Sequence, residues 1–448
     1  VFLVAFGVVG AGIIYWGWRG QKVVDKPQAA DKPWLNNPSW QENGQIRSSA
    51  RGGMISTWAF AVLWNLVSLP LAFVLPQAAR EEGAIIHIFW MFPLIGAGML
   101  LWAIIRTREW QRFGKTILTM DPFPGSVGGD VGGVIAVNMA WDPAVEYRVS
   151  LTCLHSELER SGKNRSRRET PVWQDIGPGN PTVGGEGVRI RFRFVVPSGL
   201  PVTEKKRGDD YHLWRLNLFA ELSGADLDRS YEIPVFASGA RSSGLEYTSG
   251  VVAASGSAVP IEDILPMERN GNQVLIRYPA LRNPLRNVLI TLFGTAFAII
   301  GTLLWGLSER EGFMLWIMGL ILLGVGGLVA ISGLYAMLNS LEVLLDGHFV
   351  STVRRIFGIP LRTRRAAYHE IHAIEARKAF SGTAGKKAIL DFSVEAHYPA
   401  GTLVLAQHLD SHSAVHAARE FLGELLGVPI NDSGNSVSRS IGGPHSRH

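Results

Sequence analysis

Long apolar stretches flank a mixed polar region along this chain of 448 residues. Five stretches are each about the length that a helix needs to cross the roughly 30 Å hydrocarbon core of a membrane. They cover residues 2–18, 54–75, 84–105, 288–307 and 313–338. Apart from His87, near the start of the third stretch, none of them contains an ionisable residue. The pattern predicts a multi-pass α-helical membrane protein with five spans.

The first stretch has two interpretations, a retained span or the apolar part of a cleaved signal peptide. No small-residue cleavage site follows it, since Trp16, Gly17, Trp18 and Arg19 form its flank. We therefore expect a retained transmembrane helix at residues 1–18, and the cleaved signal stays open.

Basic residues in the connecting segments predict the orientation. They are concentrated at residues 19–53, 106–115 and 354–365, whereas the connections 76–83 and 308–312 each carry one Arg and two Glu. The positive-inside rule places the basic segments in the cytoplasm. The pattern predicts a bacterial inner-membrane protein with its N-terminus outside, a cytoplasmic loop before the second span and cytoplasmic soluble domains.

Between the third and fourth stretches, the pattern changes to short apolar runs separated by Gly, Pro, Asn and Asp. Six candidate strands cover residues 116–120, 131–139, 145–157, 188–196, 213–222 and 231–236. In the fourth of these, Arg189, Arg191 and Arg193 alternate with apolar residues, which is typical of a half-buried antiparallel strand. Six such strands with no helical pattern between them predict an all-β sandwich within residues 107–280, which also include a linker.

The order of motifs in this region resembles the arrestin-type sandwich. The motifs are GSVGGDVGG at 125–133, YRVSLTCLH at 147–155, FVVPSGLP at 194–201, LWRLNLFAEL at 213–222 and YEIPVF at 231–236. The resemblance implies the fold alone. Because arrestin-like sandwiches usually bind proteins, it also favours an adaptor, although a fold is a weak guide to function.

The bulk of the chain also resembles a bacterial family of multi-pass membrane proteins with a domain of unknown function. The motifs are KPWL at 32–35, IRSSAR at 46–51, WNLVSLP at 64–70, PGSVGG at 124–129, SGKN at 161–164 and VWQD at 172–175. The resemblance implies a membrane topology and no catalytic residues.

A third region follows the last two spans, which lie within residues 288–338. Residues 339–430 contain short apolar runs and end in an amphipathic helix at 413–426, which Asp410 or Ser411 is expected to cap. Strands followed by one such helix resemble a small α+β PH-like barrel. The Ser-, Gly- and Arg-rich tail at 431–448 is predicted to be disordered.

Two basic clusters are the candidate binding residues of the central domain. They comprise Arg160, Lys163, Arg165, Arg167, Arg168, Lys205, Lys206 and Arg207. Near anionic headgroups, each such charge contributes ~1 kcal/mol of attraction. Contact with lipid or an acidic partner and a merely solvated loop both stay open. Nucleic acid is disfavoured, because the first cluster has no aromatic residues between its charges.

Other candidate chemistry is weak. His408, His412 and His416 recur every four residues, but a zinc site also needs a further protein ligand, so a solvated helix face is the preferred interpretation. The single cysteine, Cys153, would need a neighbouring base to act as a nucleophile, and His155 is the candidate. We predict no catalytic residue, no metal and no cofactor.

These patterns predict a non-catalytic inner-membrane scaffold or adaptor, with membrane lipids and a protein as partners and a homo-oligomer as an open alternative. The competing functions are a transporter or channel subunit and, with less support, a membrane-embedded enzyme. The spans offer few polar groups for a transport path, chiefly Asn65, Ser68, Thr291 and Thr295. Helix packing explains such residues better than a substrate path does.

Overall fold

The computed structural model describes most of the chain between its two termini. The described residues are 33–37, 39–40, 43–82, 90–161, 164–184, 187–204, 209–242, 261–271, 273–281, 284–311, 313–384 and 387–428. The predicted first span, residues 2–18, and the predicted tail, residues 431–448, lie outside these ranges. The chain divides into two compact units, residues 1–252 and residues 253–448 apart from 382–388.

The first unit combines two long helices with short and long strands. The helices are α1 (Ala50–Glu82) and α2 (Met91–Phe113). The strands are β1 (Gln45–Arg47), β2 (Ile117–Met120), β3 (Gly125–Ser126), β4 (Asp130–Val137), β5 (Arg148–Ser161), β6 (Asn164–Pro178), β7 (Asn180–Gly184), β8 (Gly187–Val195), β9 (Asp210–Ala220), β10 (Leu227–Ile233) and β11 (Val235–Phe236).

Two of the sheets in this unit form a sandwich around one apolar core. One sheet has the strand order β1-β2-β4-β8-β7, the other has the order β10-β9-β5-β6, and β3 and β11 form a short parallel pair. Along β8, Ile190, Phe192 and Phe194 are fully buried, whereas Arg189 and Arg191 are exposed. The predicted β-sandwich is therefore confirmed, and a strand is present at each of the six predicted positions.

The segment before α1 belongs to the sandwich, which the sequence pattern did not indicate. Strand β1 pairs antiparallel with β2, so that Ile46 lies opposite Leu118. Trp40 is buried in the same core, and its indole Nε1 donates to the Glu232 carbonyl oxygen at 2.9 Å. Because β1 precedes α1 and β2 follows α2, the chain leaves the sandwich after β1, forms the α1–α2 pair and returns to the sandwich at β2.

The remaining elements lie between residues 261 and 426. The helices are α3 (Ile261–Ile264), α4 (Pro284–Glu311), α5 (Phe313–Leu338) and α6 (His412–Leu426). The strands are β12 (Met267–Asn270), β13 (Gln273–Tyr278), β14 (Asn339–Leu345), β15 (Phe349–Ile356), β16 (Ile359–Ala367), β17 (Ala373–Ala384), β18 (Lys387–Tyr398) and β19 (Gly401–Leu409).

These strands form two sheets, with the orders β12-β13-β14-β15-β16 and β17-β18-β19. The expected PH-like barrel is thus not found as one closed sheet among the described strands. Strand β13 precedes α4 and pairs with β14, which follows α5, so that Tyr278 lies opposite Leu341. The chain therefore also leaves this sheet after β13, forms the α4–α5 pair and returns to the same sheet at β14. Residues 267–278 thus add two strands to the region predicted at 339–430.

Helix α6 closes the core of the second unit. Ser411 is its N-cap, and the Ser411 Oγ accepts a hydrogen bond from the Ala414 amide at 3.2 Å. Gly427 ends the helix in a left-handed conformation with φ of 66°. Val415 and Leu422 are buried in the core shared with both sheets. The predicted amphipathic helix is confirmed, with Ser411 as its cap.

The prediction of a five-span membrane protein is wrong. Three helical segments among the described residues are long and apolar enough to cross a membrane, namely Ala50–Gln77, Asn287–Gly306 and Trp316–Leu338. Helix α2, which holds most of the predicted span at 84–105, is not one of them. Its last turns carry Arg106, Glu109 and Arg112, and it ends at Phe113, which is fully buried in the sandwich. Hydropathy alone does not reveal that the polar end of this helix packs on the β-sandwich.

The α1–α2 pair is held by hydrogen bonds between its helices. The Asn65 Nδ2 of α1 donates to the Gly96 carbonyl oxygen of α2 at 2.9 Å, and within α1 it also donates to the Ala61 carbonyl oxygen at 2.8 Å. The indole Nε1 of Trp58 donates to the Thr107 Oγ1 at 2.7 Å. The expected role of Asn65 in helix packing is therefore confirmed.

Candidate functional site at the distal end of the sandwich

Helix α2 joins the sandwich at one end of the sheet β10-β9-β5-β6, which we call the proximal end. The guanidinium of Arg229 on β10 is fully buried and forms an ion pair with the Glu109 carboxylate of α2. It also lies over the ring of Phe113, 5.5 Å from the ring centroid. Arg112 donates to the Ser223 carbonyl oxygen in the turn between β9 and β10 at 2.5 Å. These contacts attach the end of α2 directly to the sheet.

The opposite end of this sheet, which we call the distal end, is built by the β5–β6 hairpin and the start of β9. Strand β5 pairs with β9 from Arg148 at the proximal end to Glu157, which lies opposite Asp210. Beyond that pair, β5 and β6 continue as a two-stranded hairpin up to Ser161 and Asn164. At ~3.4 Å per residue, the strand from Arg148 to Ser161 covers ~45 Å. The distal end is therefore far along the sheet from the α2 junction.

The first predicted basic cluster lies on this distal hairpin. The strand register places Arg160 opposite Arg165 and Arg168 opposite Glu157. The side chains of Arg160 and Arg165, and the whole of Lys163, lie outside the described part of the structure. Arg168 is exposed. The hairpin therefore presents at least one predicted arginine to solvent at the distal end.

Arg167 is attached to the sandwich through its guanidinium. Its Nη1 donates to the Ser156 Oγ at 3.2 Å and to the Asp209 carbonyl oxygen at 3.4 Å. The guanidinium also lies over the ring of Tyr211, 4.7 Å from the centroid, which is a favourable cation–π geometry. Arg167 therefore connects the hairpin to the start of β9 in addition to carrying a surface charge.

The second predicted cluster lies outside the described residues; it comprises Lys205, Lys206 and Arg207. The described residues on either side of it are both held at the distal end. The Glu204 amide donates to the His212 carbonyl oxygen at 3.0 Å, and the Leu158 amide donates to the Asp209 carbonyl oxygen at 2.9 Å. The described residues just before and just after the second cluster therefore lie at the same end of the sheet as the hairpin of the first cluster. The two clusters are nevertheless well separated in sequence.

Carboxylates and histidines accompany the arginines at this end. Arg215 and Glu169 form an ion pair through two contacts of 2.8 and 3.1 Å. The ring of His212 stacks on that of His155 with centroids 4.8 Å apart, and its Nδ1 lies 3.2 Å from the Glu204 Oε2. The sequence pattern did not predict this group of carboxylates and histidines. Its members come together through the pairing of β5 with β9, and these strands are far apart in sequence. The distal end therefore carries both signs of charge, which suits a polar protein surface.

The structure gives no support to Cys153 as a nucleophile. Its side chain is fully buried, and its Sγ lies 4.0 Å from the Pro201 carbonyl oxygen. Burial raises the pKa of the Cys153 thiol to about 12, and the negative charge of Glu204 adds to this effect. A thiol with this pKa stays protonated, and hence a poor nucleophile, at neutral pH.

The three histidines near the C-terminal helix have separate surroundings. His408 Nδ1 lies 3.0 Å from the Asp391 Oδ2, and His412 packs edge-on against Phe392 with ring centroids 4.9 Å apart. His416 is exposed on α6. In the described ranges, no group of three His, Cys, Asp or Glu residues is placed to hold a metal ion.

Comparison with known proteins adds little to this description. No family model matches the chain, and no curated protein matches it. Among solved structures, the chain is similar to Spo0M, a sporulation control protein from Bacillus subtilis, with 12% sequence identity and a TM-score of 0.20. The similarity covers 56% of this chain and 87% of that one. A TM-score this low does not show a shared fold. The strand order itself shows the sandwich, and the likenesses to arrestins and to the membrane-protein family stay resemblances.

Proposed function

We propose that this chain is a membrane-anchored scaffold that presents the distal end of its sandwich to a protein partner. The observation that carries the proposal is the strand pairing around each helical pair: β1 with β2 around α1–α2, and β13 with β14 around α4–α5. Paired strands lie in one sheet, and α4 and α5 each hold a segment able to cross a membrane, so both ends of the α4–α5 pair emerge on one side of a membrane that these helices cross. Among the described residues α1 holds such a segment and α2 does not, so the β1–β2 pairing requires the α1–α2 pair to enter and leave the membrane on the same side. With the positive-inside pattern, that side is the cytoplasm of a bacterial inner membrane.

The buried contacts at the α2 junction support a scaffold. The buried Arg229–Glu109 ion pair and the fully buried ring of Phe113 attach the helix to the sheet without an intervening flexible linker. Such an attachment restricts the orientation of the sandwich relative to α2. A surface at the distal end is then held at a defined distance from the anchor.

The position of the basic hairpin favours a protein partner over the chain's own bilayer. The hairpin extends ~45 Å along the strands from the level where α2 joins. Exposed Arg168 and the neighbouring carboxylates give this end a mixed polar surface. Charges of this kind mainly govern the rate and selectivity of association with a charged partner.

The competing transport function receives little support from the described helices. In the α4–α5 pair the backbones are so close that a β-carbon on Gly326 would lie 2.5 Å from the Ala298 nitrogen. Three of the four polar groups named for a path donate to carbonyl oxygens: Asn65 as described above, Thr291 to Asn287 at 2.9 Å and Thr295 to Thr291 at 2.8 Å. Both observations fit helices that serve as an anchor.

Cysteine accessibility in membrane vesicles tests the anchoring. We expect an impermeant maleimide to label Ser238→Cys and Glu268→Cys in inside-out vesicles only, because both positions are exposed and the proposal assigns both β-rich units to the cytoplasm. Phe313→Cys, at the turn between α4 and α5, is expected to react in right-side-out vesicles only. The native chain is the control and should stay unlabelled, since Cys153 is buried. Labelling of position 238 or 268 from the outside, or extraction of the protein by alkaline carbonate, would contradict the proposal.

Charge reversal at the distal end tests partner binding. Affinity capture of the intact protein in mild detergent, with crosslinking and mass spectrometry, is expected to find a stoichiometric partner crosslinked to residues 160–168. Arg168→Glu should then slow association with that partner several-fold and reduce its salt dependence. Arg148→Glu is the matched control, because it reverses an exposed arginine at the proximal end of the same sheet. Crosslinks confined to the helices of identical copies would instead favour a homo-oligomer and a transport role.

A further inference from the structure

The turn between β15 and β16 carries an exposed apolar tip, which we define as residues 357–361. Ile356 pairs with Ile359, which leaves a two-residue turn beginning at Phe357. Phe357, Ile359 and Leu361 are 68%, 69% and 68% exposed. Three large apolar side chains this exposed within five positions are unusual for a surface bathed only in water, and such patches mark interaction surfaces.

The backbone of the turn makes Phe357 an unexpected residue there. Phe357 has a φ of 54° and Gly358 has a φ of 77°, so both are in the left-handed region. Two-residue hairpin turns of this kind favour Asn, Asp or Gly at the first position, because bulkier side chains are strained there. Phe357 gains no compensating burial from the described protein. Strain at an exposed aromatic residue therefore points to a binding role.

The tip lies beside the end of α5. Asn339 is the first strand residue after α5, and it pairs with Ile356, so the turn projects past the helix–strand junction toward the helix. The Arg354 Nη1 contacts the hydroxyl of Tyr335, in the last turn of α5, at 3.4 Å. Because α5 contains one of the three segments able to cross a membrane, the tip lies beside the end of a candidate span.

Arginines with few carboxylate partners flank the tip. Arg354 on β15 lies directly opposite Arg362 on β16. Like charges in this cross-strand position repel each other, and a bound anion would remove the repulsion. Arg355 is neutralised by an ion pair with Glu342. Within the described ranges, neither Arg354 nor Arg362 has an ion pair with a carboxylate.

We propose that the tip inserts into the interfacial layer of the bilayer that α4 and α5 enter. Phe357, Ile359 and Leu361 lie among the upper acyl chains, and Arg354 and Arg362 bind anionic headgroups. An apolar edge with adjacent arginines is the composition that binds this layer. The inference rests on the proposed membrane anchoring. Its consequence is that the five-stranded sheet is held against the membrane surface at a second point besides the helices.

Environment-sensitive labels on single cysteines test this insertion in the full chain. Phe357→Cys carries the label at the tip, and the protein is reconstituted in vesicles of phosphatidylcholine and phosphatidylglycerol. We expect a blue-shifted emission that is quenched by lipids with a shallow nitroxide. His348→Cys is the matched control, because it is exposed at the opposite end of the same strand pair. Leu303→Cys, exposed on α4, reports whether the helices are in the bilayer.

Each pattern of quenching has one meaning. Quenching at positions 303 and 357 but not at 348 supports the proposal. Quenching at 303 without quenching at 357 overturns the insertion and leaves the anchoring intact. Absence of quenching at 303 overturns the anchoring, and the insertion with it. Equal quenching at 357 in vesicles of phosphatidylcholine alone overturns the headgroup part of the proposal.

A second pair of variants separates insertion from folding of the hairpin. With the label placed by Ile359→Cys, we compare chains that retain Phe357 with chains that carry Phe357→Asn. Asparagine suits the left-handed turn, so the hairpin and the thermal stability in detergent should be retained. We expect the label to lose most of its quenching in the Phe357→Asn chain. Unchanged quenching at position 359 would show that Phe357 does not enter the membrane.

Discussion

Removing one charge of the Glu109–Arg229 pair is expected to destabilise the first unit by about 3–5 kcal/mol, because the remaining charge stays buried without its partner. The Arg229 side chain is 0% exposed and that of Glu109 is 10% exposed. In Glu109→Gln the guanidinium cannot lose its proton, so its desolvation is no longer offset. Chemical unfolding of the full protein in detergent, followed by circular dichroism, measures the change.

Arg106→Ala is the control for this pair. Its guanidinium also contacts Glu109, at 2.9 Å, but is 38% exposed, so its loss should cost less than about 1 kcal/mol. The double variant Glu109→Leu with Arg229→Met should recover most of the stability, because apolar side chains of similar size replace both charges. If Glu109→Gln costs no more than Arg106→Ala, the junction is not held by this ion pair.

Adding one methyl group at Gly301 or Gly326 is expected to destabilise the α4–α5 pair by about 1–3 kcal/mol, which is typical of overpacking. A β-carbon at Gly326 would lie 2.5 Å from the Ala298 nitrogen, and one at Gly301 would meet the backbone of the facing helix, including the Gly319 oxygen at 2.7 Å. Backbone atoms cannot rotate away as a side chain can. The helices therefore have to move apart, which weakens their packing along the whole pair.

Two other glycines, both on α5, provide a control in which alanine is not expected to lower the stability. A β-carbon at Gly324 or Gly327 would meet nothing within 4 Å. Gly324→Ala and Gly327→Ala should therefore leave stability unchanged or raise it by up to about 1 kcal/mol, since alanine favours a helix. Thermal unfolding in detergent distinguishes the two classes. Equal effects of Gly301→Ala and Gly324→Ala would show that the two helices do not pack closely in solution.

Local patterns explain which predictions from the sequence succeeded. Period-two alternation depends only on neighbouring residues, and it correctly located strands such as β8 and β9. The capping and periodicity of α6 are also local, and its N-cap at Ser411 was among the two predicted. The five-span prediction failed for the same reason. Apolar composition is a local property, whereas the attachment of α2 to the sandwich through Glu109 and Phe113, just beyond the predicted span at 84–105, depends on distant strands.

The sequence by itself determined that the chain has apolar helices, a β-sandwich between them and a helix-capped β region after them. It also identified the basic clusters as segments, but not where they lie. Only the tertiary structure decided that β1 and β13 pair across the helical pairs, that the described residues flanking the second cluster lie at the distal end, and that the Phe357 turn lies beside α5. These arrangements depend on strand pairing between residues far apart in sequence. Hydrophobic periodicity shows that a residue is buried, but it does not specify the partner against which that residue packs.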